Sequence, residues 1–540
     1  MFKGVIFDLD NTIYDYDICN NYALIKLFEY IKKQNELYTL TDIETKYNKM
    51  NKNIKKSNNS CNKFNKSIYI KNLLEELKIP IKHFDSYYNL YKSAFFEKCK
   101  LFDYVYESIV LLHNNGIKIG ILSNNIYIQQ YEKLQKLGII DYIDVIVTSD
   151  EIGEEKPHNF MFYRIQQLMN ISFENMLYIG DNMEDDIIPS IQLGFFTFWL
   201  NIHGQYSTFK TPYSEINNYN IFYSFLQNYF QIVKDYVFIS KYFGQSTLNV
   251  QGQGGNISIK QDNLLFIKSS GFILGNTTET EGYCIVDCNR CLNLLHGNNN
   301  INETKIFGYS NPSMETYFHS FMKKYTVHLH FTLSNIFISS SDTYYFDDFQ
   351  YNYCVVDYFT PGIQLAKQIE NKYSKECDIY FLKNHGLIIT GDTLCNIFDY
   401  YEYIFMYFMN KSKLYYFSHY LDSGYITKTL YQYGMCKIVR KINILEEQIK
   451  NIVYCFPDLA IYIQNIVYIN DFKELKNEAY DIIIYNSNCY CVCDNMTKMY
   501  SITEIIDSYL LLQSQTNNLI SIENVKILQN MEQEKIRKQI

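Results

Sequence analysis

The period of the apolar positions changes along this chain, and the changes outline its elements. Gly4–Phe7 is a short apolar run followed by acidic and polar residues, which reads as strand, turn, helix. A helical stretch then extends to about residue 100. It is interrupted by the Lys/Asn/Ser-rich segment Lys46–Lys66, a solvated loop or a long polar helix end. Strands are predicted at Ile117–Leu122, Asp144–Thr148 and Met176–Ile179, with a helix after the first. Strands alternating with helices imply a parallel sheet with crossover helices. This pattern fades near residue 225. Beyond Tyr236, β-rich pieces at Gly255–Lys260, Leu264–Lys268 and Gly282–Val286 precede a polar loop at Gly297–Asn302 and a helix over Met314–Lys324. Further strands follow at Thr326–His330 and Ile379–Leu382, then a long aromatic helix around Leu394–Asn410. The tail from about residue 430 alternates helix and strand and ends in a charged helix after Ile522. No internal repeat is visible. The chain reads as α/β throughout, divided into residues 1–228, 229–430 and an extension over 431–540.

Length agrees with that division, since 540 residues correspond to about two to four domains at roughly 100–200 residues each. Lys and Arg total 49 against 58 for Asp and Glu, a net charge of -9 that gives no footprint for nucleic acid or an anionic membrane surface. The hydrophobic share of 47% suffices for sizeable cores and excludes wholesale disorder. The 53 Tyr accompany abundant Asn, Ile and Lys, the imprint of an AT-rich genome, so most Tyr read as filler and not as stacking platforms. Of 14 Cys, Cys288 and Cys291 form a lone CxxC with no second pair to complete a four-thiolate zinc site, and Cys489, Cys491 and Cys493 alternate as strand residues. Scattered thiols fit a reducing compartment. The opening MFKGVIFDLDN puts carboxylates where a signal peptide needs apolar residues. No run of 18 apolar residues occurs; the nearest, Tyr400–Met409, contains Glu402. A cytoplasmic protein is expected.

Asp8-Leu9-Asp10-Asn11-Thr12 follows the first strand. Open α/β sheets present reactive groups at the carboxyl ends of their strands. Two carboxylates one residue apart can divide the work, one attacking and the other protonating a leaving oxygen and later activating water. Asp-x-Asp also occurs in ordinary loops, but three further pieces come in the order this chemistry needs. Ser123-Asn124 supplies donors for a phosphoryl oxygen, and Lys156 supplies a cation. Gly180-Asp181 with Asp185 and Asp186 gives acidic residues suited to Mg2+. His158, after Lys156-Pro157, is expected to face solvent.

Asp8–Thr12, Ser123, Lys156 and Gly180–Asp186 resemble the four motifs of the haloacid dehalogenase-like hydrolases, over roughly residues 1–225. The resemblance implies a Rossmann-like core with a helical cap at about 14–100. It makes Asp8 the nucleophile that forms an aspartyl-phosphate and Asp10 the general acid/base. Ser123, Asn124 and Lys156 would bind phosphate. Mg2+ would be held by Asp8, the Asp10 carbonyl and Asp181, with Thr12, Asp185 and Asp186 in support. A carboxylate at Asp10 favours a phosphatase over a dehalogenase, because an alkoxide leaves more readily with a proton and halide needs none.

In the second half, His328 and His330 lie two residues apart on a predicted strand and therefore share a face. His385 ends the next clear apolar strand. Three His with an open fourth position is the layout of a catalytic zinc. Glu315 precedes them on a helix, where it could act as a base, and His319 one turn later has a supporting or structural role. The turns Gly252–Asn256 and Ser269–Gly271 expose backbone amides that can hold an anion. The order GGNIS, IKSSG, PSMET, VHLH, YFTPG and KNHGLI resembles the class II aldolase/adducin family over about 236–420. The resemblance implies zinc on His328, His330 and His385, Glu315 as acid/base, and substrate phosphate near Gly255, Asn256, Ser270, Gly271 and Ser313. Zinc would polarise a ketose carbonyl and stabilise an enediolate. Met314 stands where sugar-phosphate aldolases often carry a second Ser, and Tyr358 reads as structural. Family members are commonly tetramers, so a homo-oligomer is expected.

The expectation is a bifunctional carbohydrate enzyme acting on sugars or sugar phosphates, an Mg2+-dependent phosphatase joined to a zinc-dependent aldolase-like lyase. A dehydratase–phosphatase, an epimerase–phosphatase, and a phosphatase carrying a non-catalytic oligomerisation module stay open.

Overall fold

The computed structural model describes residues 2–56, 63–206, 214–246, 248–297, 300–308, 310–338 and 346–412. In the tail it describes 438–442, 465–470, 481–485 and 488–493, with Met499 and Ile502. The charged helix expected after Ile522 lies outside the described residues. The chain divides into two compact units, Met1–Gln231 with Ile306–Tyr309, and Ile232–Lys305 with Ser310–Ile540.

The first unit is built on six parallel strands: β1 (Gly4–Phe7), β2 (Lys118–Ser123), β3 (Val145–Thr148), β4 (Met176–Gly180), β5 (Phe196–Leu200) and β6 (Ser214–Ile216). Their order is β3-β2-β1-β4-β5-β6. Val5, Ile6 and Phe7 are buried on both faces, as a central parallel strand requires. The chain leaves β1 towards β2 and β3, then returns to β4 on the other side of β1. That reversal opens a crevice at the carboxyl ends of β1 and β4. Helices Tyr16–Gln34, Leu40–Lys56, Lys66–Glu76 and Phe84–Lys98 form the insertion between β1 and β2. Part of the polar segment Lys46–Lys66 is therefore helical. Tyr219–Gly244 is one helix of 26 residues that spans the expected boundary near 228, where aromatic residues on several faces obscure the helical period.

An eight-stranded, mainly antiparallel sheet has seven of its strands within the second unit. Its strands are β7 (Asn256–Gln261), β8 (Leu264–Lys268), β9 (Tyr283–Asp287), β10 (Lys305–Phe307), β11 (Tyr325–Leu329), β12 (Tyr353–Val356), β13 (Ile379–Leu382) and β14 (Gly386–Gly391). They are ordered β10-β9-β8-β7-β11-β14-β13-β12. Three expectations need correcting. The helix read over Met314–Lys324 covers only Thr316–Phe321, because the backbone turns extended at Met322 and leaves Glu315 at the N-cap position. His330 lies one residue beyond β11. His385 does not end β13: it sits in the turn before β14, where Asn384 adopts a left-handed φ of 51°. In the tail, Ile438–Ile442, Ile466–Ile469, Ile482–Tyr485 and Asn488–Cys493 form a four-stranded sheet, with Cys489, Cys491 and Cys493 on its last strand.

The helix Asn159–Met169 shows how the first core closes. Met161, Phe162, Ile165 and Met169 recur at helical spacing and pack with Ile6, Leu122, Val147 and Tyr178 of the sheet. Phe162 is fully buried against Tyr178 and Phe195. Phe162→Ala is expected to cost about 3–5 kcal/mol. Urea unfolding followed by the fluorescence of Trp199, the chain's single Trp and buried on β5, measures this. A loss under about 1 kcal/mol would mean that this helix does not seal the core.

Candidate active sites

Asp8 follows β1, and its N–H donates to the Ile179 carbonyl of β4 at 2.9 Å, fixing it at the crevice. Lys156 Nζ lies buried between Asp8 Oδ1 at 2.7 Å and Asp186 Oδ1 at 2.5 Å. The Tyr178 hydroxyl donates to the same Asp186 oxygen at 2.7 Å. Thr12 Oγ1 is 2.9 Å from Asp8 Oδ2 and 3.2 Å from Asp181 Oδ1. One oxygen each from Asp8, Asp181 and Asp186 falls within a 4.8 Å cluster. Gly180 permits the cluster, since a Cβ there would meet the Asp186 side chain at 2.5–2.7 Å.

Two of these three clustered carboxylates thus share one ammonium. Burial, opposed by Lys156 and reinforced by Asp186, pushes Asp8 up to about 7. Burial and then the charge of Asp8 push Asp181 up to about 8. Burial opposes the charge of Lys156, but Asp186 and Asp8 outweigh it and hold the lysine well above its ordinary value. Half-buried Asp185 is raised by burial and by Asp186.

The Asp10 carboxylate meets a different set of partners. Lys133 Nζ reaches its two oxygens at 2.7 and 2.9 Å, the Tyr14 hydroxyl donates at 2.5 Å, and the Asn125 and Gln130 amides donate at 2.9 and 3.1 Å. Burial alone would raise its pKa; Lys133 and the hydrogen bonds outweigh it and hold the group below the usual carboxylate value. Gln130 also donates to Ser123 Oγ at 2.6 Å. Asn124 braces the Lys156 backbone, accepting its N–H at 2.6 Å and donating to its carbonyl at 3.1 Å. His158 is exposed and caps its helix through the Phe160 N–H. Sequence reasoning missed Tyr14, Asn125, Gln130 and Lys133; the last two recur three residues apart on a helix whose apolar period is too sparse to mark their face as buried. A cleft of ≈ 750 Å³ spans Asp8, Asp10, Ser123, Lys156 and Asp181 on the core and the helices of the insertion opposite.

In the second unit, β11 lies between β7 and β14 and pairs His328 with Asn256 on one side and Ile388 on the other. The rings of His328, His330 and His385 stand 4.8–5.3 Å apart between centroids, and a nitrogen of each falls within a 4.8 Å cluster. His328 Nδ1 is 3.1 Å from the Leu387 carbonyl. A carbonyl only accepts, so Nδ1 carries the proton and Nε2 keeps a lone pair. That Nε2 is buried without a hydrogen-bond partner, 3.7 Å from Glu315 Oε1. His385 Nε2 lies 3.4 Å from the same oxygen. Burial, then neighbouring imidazoles, lowers His328 to about 3 and His385 to about 4, and burial also lowers His330. Burial raises Glu315, against the pull of His385 and His330.

The glycine-rich turn presses on this cluster: a Cβ on Gly254 would meet the His330 ring at 2.5 Å. Gly255 is buried beside it, and the buried Asn256 amide lies beside Glu315, whose pKa it helps to lower. The segment before Glu315 is stitched to the second turn. Ser270 N–H donates to the Asn311 carbonyl at 2.8 Å, and Ser313 N–H to the Lys268 carbonyl at 3.1 Å. Ser313 Oγ accepts the Glu315 N–H at 3.3 Å. Ser270 and Gly271 are exposed, as are Met314 and Tyr358. Lys268 was missed, because a lysine ending an apolar strand reads as surface. It is buried, pushed down to about 8 by burial, and ties the two turns together by donating to the Gln253 and Phe272 carbonyls at 3.0 and 2.8 Å. His319 is buried with Nδ1 2.7 Å from Ser258 Oγ.

Among the described residues no helix is long and apolar enough to cross a membrane. Residues 5–199 match the haloacid dehalogenase-like hydrolase family, and residues 237–408 match the class II aldolase and adducin N-terminal domain. A glyceraldehyde 3-phosphate phosphatase of Methanocaldococcus jannaschii is 30% identical over 237 residues, 44% of this chain and 98% of the relative. A ribulose-1,5-bisphosphate 5-phosphatase of Halopiger xanaduensis is 28% identical over 197 residues, 36% of this chain and 82% of the relative. The solved N-terminal class II aldolase domain of a conserved Thermoplasma acidophilum protein is 22% identical and covers 36% of this chain and 90% of that one, at a TM-score of 0.27. The chain belongs to the haloacid dehalogenase-like hydrolases through its first unit and carries a class II aldolase/adducin domain in its second.

Proposed function

We propose that the chain joins an Mg2+-dependent phosphatase in residues 1–228 to a zinc-dependent aldolase-like lyase in residues 229–430. The observation that carries the first half is the buried cluster of Asp8, Asp181 and Asp186, in which Lys156 is the only cation paired with a carboxylate among the described residues. A hard divalent cation fits such an oxygen cluster. Asp8, the Asp10 carbonyl and Asp181 would hold Mg2+, with Asp186, Asp185 and Thr12 in support. Bound there, the cation supplies neutralising charge to the phosphoryl oxygens.

In this reading Asp8 attacks phosphorus and the bond to the ester oxygen breaks, while the Asp10 carboxyl gives that oxygen its proton. Water then attacks the phosphoaspartate and loses a proton to Asp10, which releases inorganic phosphate and restores Asp8. Lys156 and Ser123 would orient the phosphoryl oxygens, and Asn124 holds Lys156 in place. Lys133 and Tyr14 favour ionised Asp10, the form the second step needs. The names of the two relatives support a small sugar phosphate as substrate.

For the second half, neutral buried imidazoles with an unpartnered His328 Nε2 fit zinc, which binds the lone pair of unprotonated histidine. His328, His330 and His385 would hold it, and it would supply Lewis-acid polarisation of a carbonyl. Glu315, raised by burial, can take a proton from substrate and return it. Gly255, Asn256, Ser270, Gly271 and Ser313 would hold the substrate's anionic or hydroxyl groups. A purely structural module would gain nothing from a buried, unpaired imidazole nitrogen, which costs about 1–3 kcal/mol.

Asp8→Asn is expected to abolish p-nitrophenyl phosphate turnover with Trp199 fluorescence unchanged; retained turnover would remove Asp8 as nucleophile. Asp10→Asn should give a burst of about one equivalent of p-nitrophenol followed by turnover slowed about 10²–10⁴-fold, because nitrophenolate leaves without a proton while water still needs a base. Stopped-flow absorbance reads the burst, and its absence would remove Asp10 from the second step. Stoichiometric zinc, measured by elemental analysis of protein refolded with Zn2+, should be lost in His328→Ala. Zinc-free wild-type protein would favour the module.

A further inference from the structure

The wall of the phosphatase cleft opposite Asp8 carries positive charge that ester hydrolysis leaves unused. Lysines elsewhere on or beside the cleft are paired: Lys156 with Asp8 and Asp186, Lys133 with Asp10, and Lys63 with Glu155 at 3.0 Å. Lys66, the first residue of helix Lys66–Glu76, lines the same cleft and makes no ion pair among the described residues. It is half-buried, and its ammonium lies 4.9 Å from the Tyr69 ring centroid and 5.8 Å from that of Tyr16. Aromatic faces stabilise a cation without neutralising it. Burial, with repulsion from Lys55 and Lys133, pushes Lys66 down to about 8. Lys55 stands on the same wall.

A second, independent observation lies beside it. Asn51 lines the cleft one helical turn before Lys55, and its side-chain oxygen is buried without a hydrogen-bond partner. A buried carbonyl lacking a donor is costly, and a ligand hydroxyl would satisfy it. An unneutralised ammonium and an unsatisfied acceptor on one wall ask for an anion and a hydroxyl on one ligand.

We propose that Lys66, Lys55 and Asn51 bind a second anionic group, carboxylate or phosphate, at the far end of a hydroxylated chain whose other end carries the phosphate held at Asp8. The proposal rests on the phosphatase reading and narrows its substrates to hydroxylated compounds with an anion at each end.

The test uses the full chain with Mg2+ and follows inorganic phosphate from two matched pairs, 3-phosphoglycerate against glycerol 3-phosphate and ribulose 1,5-bisphosphate against ribulose 5-phosphate. The first pair tests a carboxylate and the second a phosphate as the distal group. The wild type should prefer the doubly anionic member of at least one pair by about 10–100-fold in kcat/KM, the worth of a charge-assisted contact. Lys66→Met should bring that ratio close to one, and Lys66→Arg should restore most of it. Asn51→Asp, which adds negative charge to the same wall, should lower the ratio as well and serves if Lys66→Met fails to fold. Ratios near one in wild type for both pairs, or a preference that survives both Lys66→Met and Asn51→Asp, would overturn the subsite alone. Failure of the wild type to release phosphate from any of the four, or from p-nitrophenyl phosphate, would overturn the phosphatase reading and the subsite together.

Discussion

The first unit depends on the ammonium of Lys156 lying between Asp8 and Asp186. Removing one partner of such a buried pair costs about 3–5 kcal/mol, although the intact pair stabilises the fold little compared with apolar packing. Three carboxylates around one lysine are therefore a poor device for stability. The sheet order makes the crowding unavoidable: β1 and β4 are neighbours in parallel register, so Asp8 and Asp181 leave their strands side by side. Tyr178 and Thr12 share the surplus lone pairs, yet the charge stays unbalanced. Such an imbalance fits the cation proposed for this site.

The second unit reaches a comparable end by another route. Its histidines are pushed towards the neutral form, first by burial and then by one another. The Leu387 carbonyl then selects the tautomer of His328 and turns its lone pair inward. Glu315 cannot satisfy that nitrogen unless the carboxyl is protonated. Lone pairs without donors here, and crowded carboxylates in the first unit, are what the two proposed metal ions would satisfy. The chemistry of each donor set separates them, oxygen for a hard cation and nitrogen for a borderline one.

Much of this was legible in the sequence because the decisive side chains sit at strand ends. Gly4–Phe7 is a continuous apolar run that stops at Asp8, so both the strand and the exit of its carboxylate follow from the pattern. The pair His328 and His330 is legible for the same reason, although the strand stops at Leu329. His385 was harder, because Lys383–His385 is a turn between two apolar strands and the run hides the break. The partners of Asp10 left no trace: Lys133 and Asn125 are separated from it by more than a hundred residues, and only the adjacency of β1 and β2 brings them together. Lys268 was hidden by the rule that lysine belongs outside, which fails where carbonyl oxygens take the place of water.

The partners of Asp10 also set a constraint on the proposed mechanism. A group that alternates between acid and base works best when neither form is strongly preferred. Here four side chains favour the ionised form, and Lys133 does so with a full charge. In the proposed mechanism, transfer of a proton to an alkoxide would therefore start from the minor form of Asp10, unless a ligand first drew Lys133 away. An anionic substrate that reached Lys133 would be such a ligand in that mechanism, because it would compete for the same cation. Charge on the substrate would then do more than anchor it: it would loosen the grip on Asp10 at the moment the carboxyl has to carry a proton.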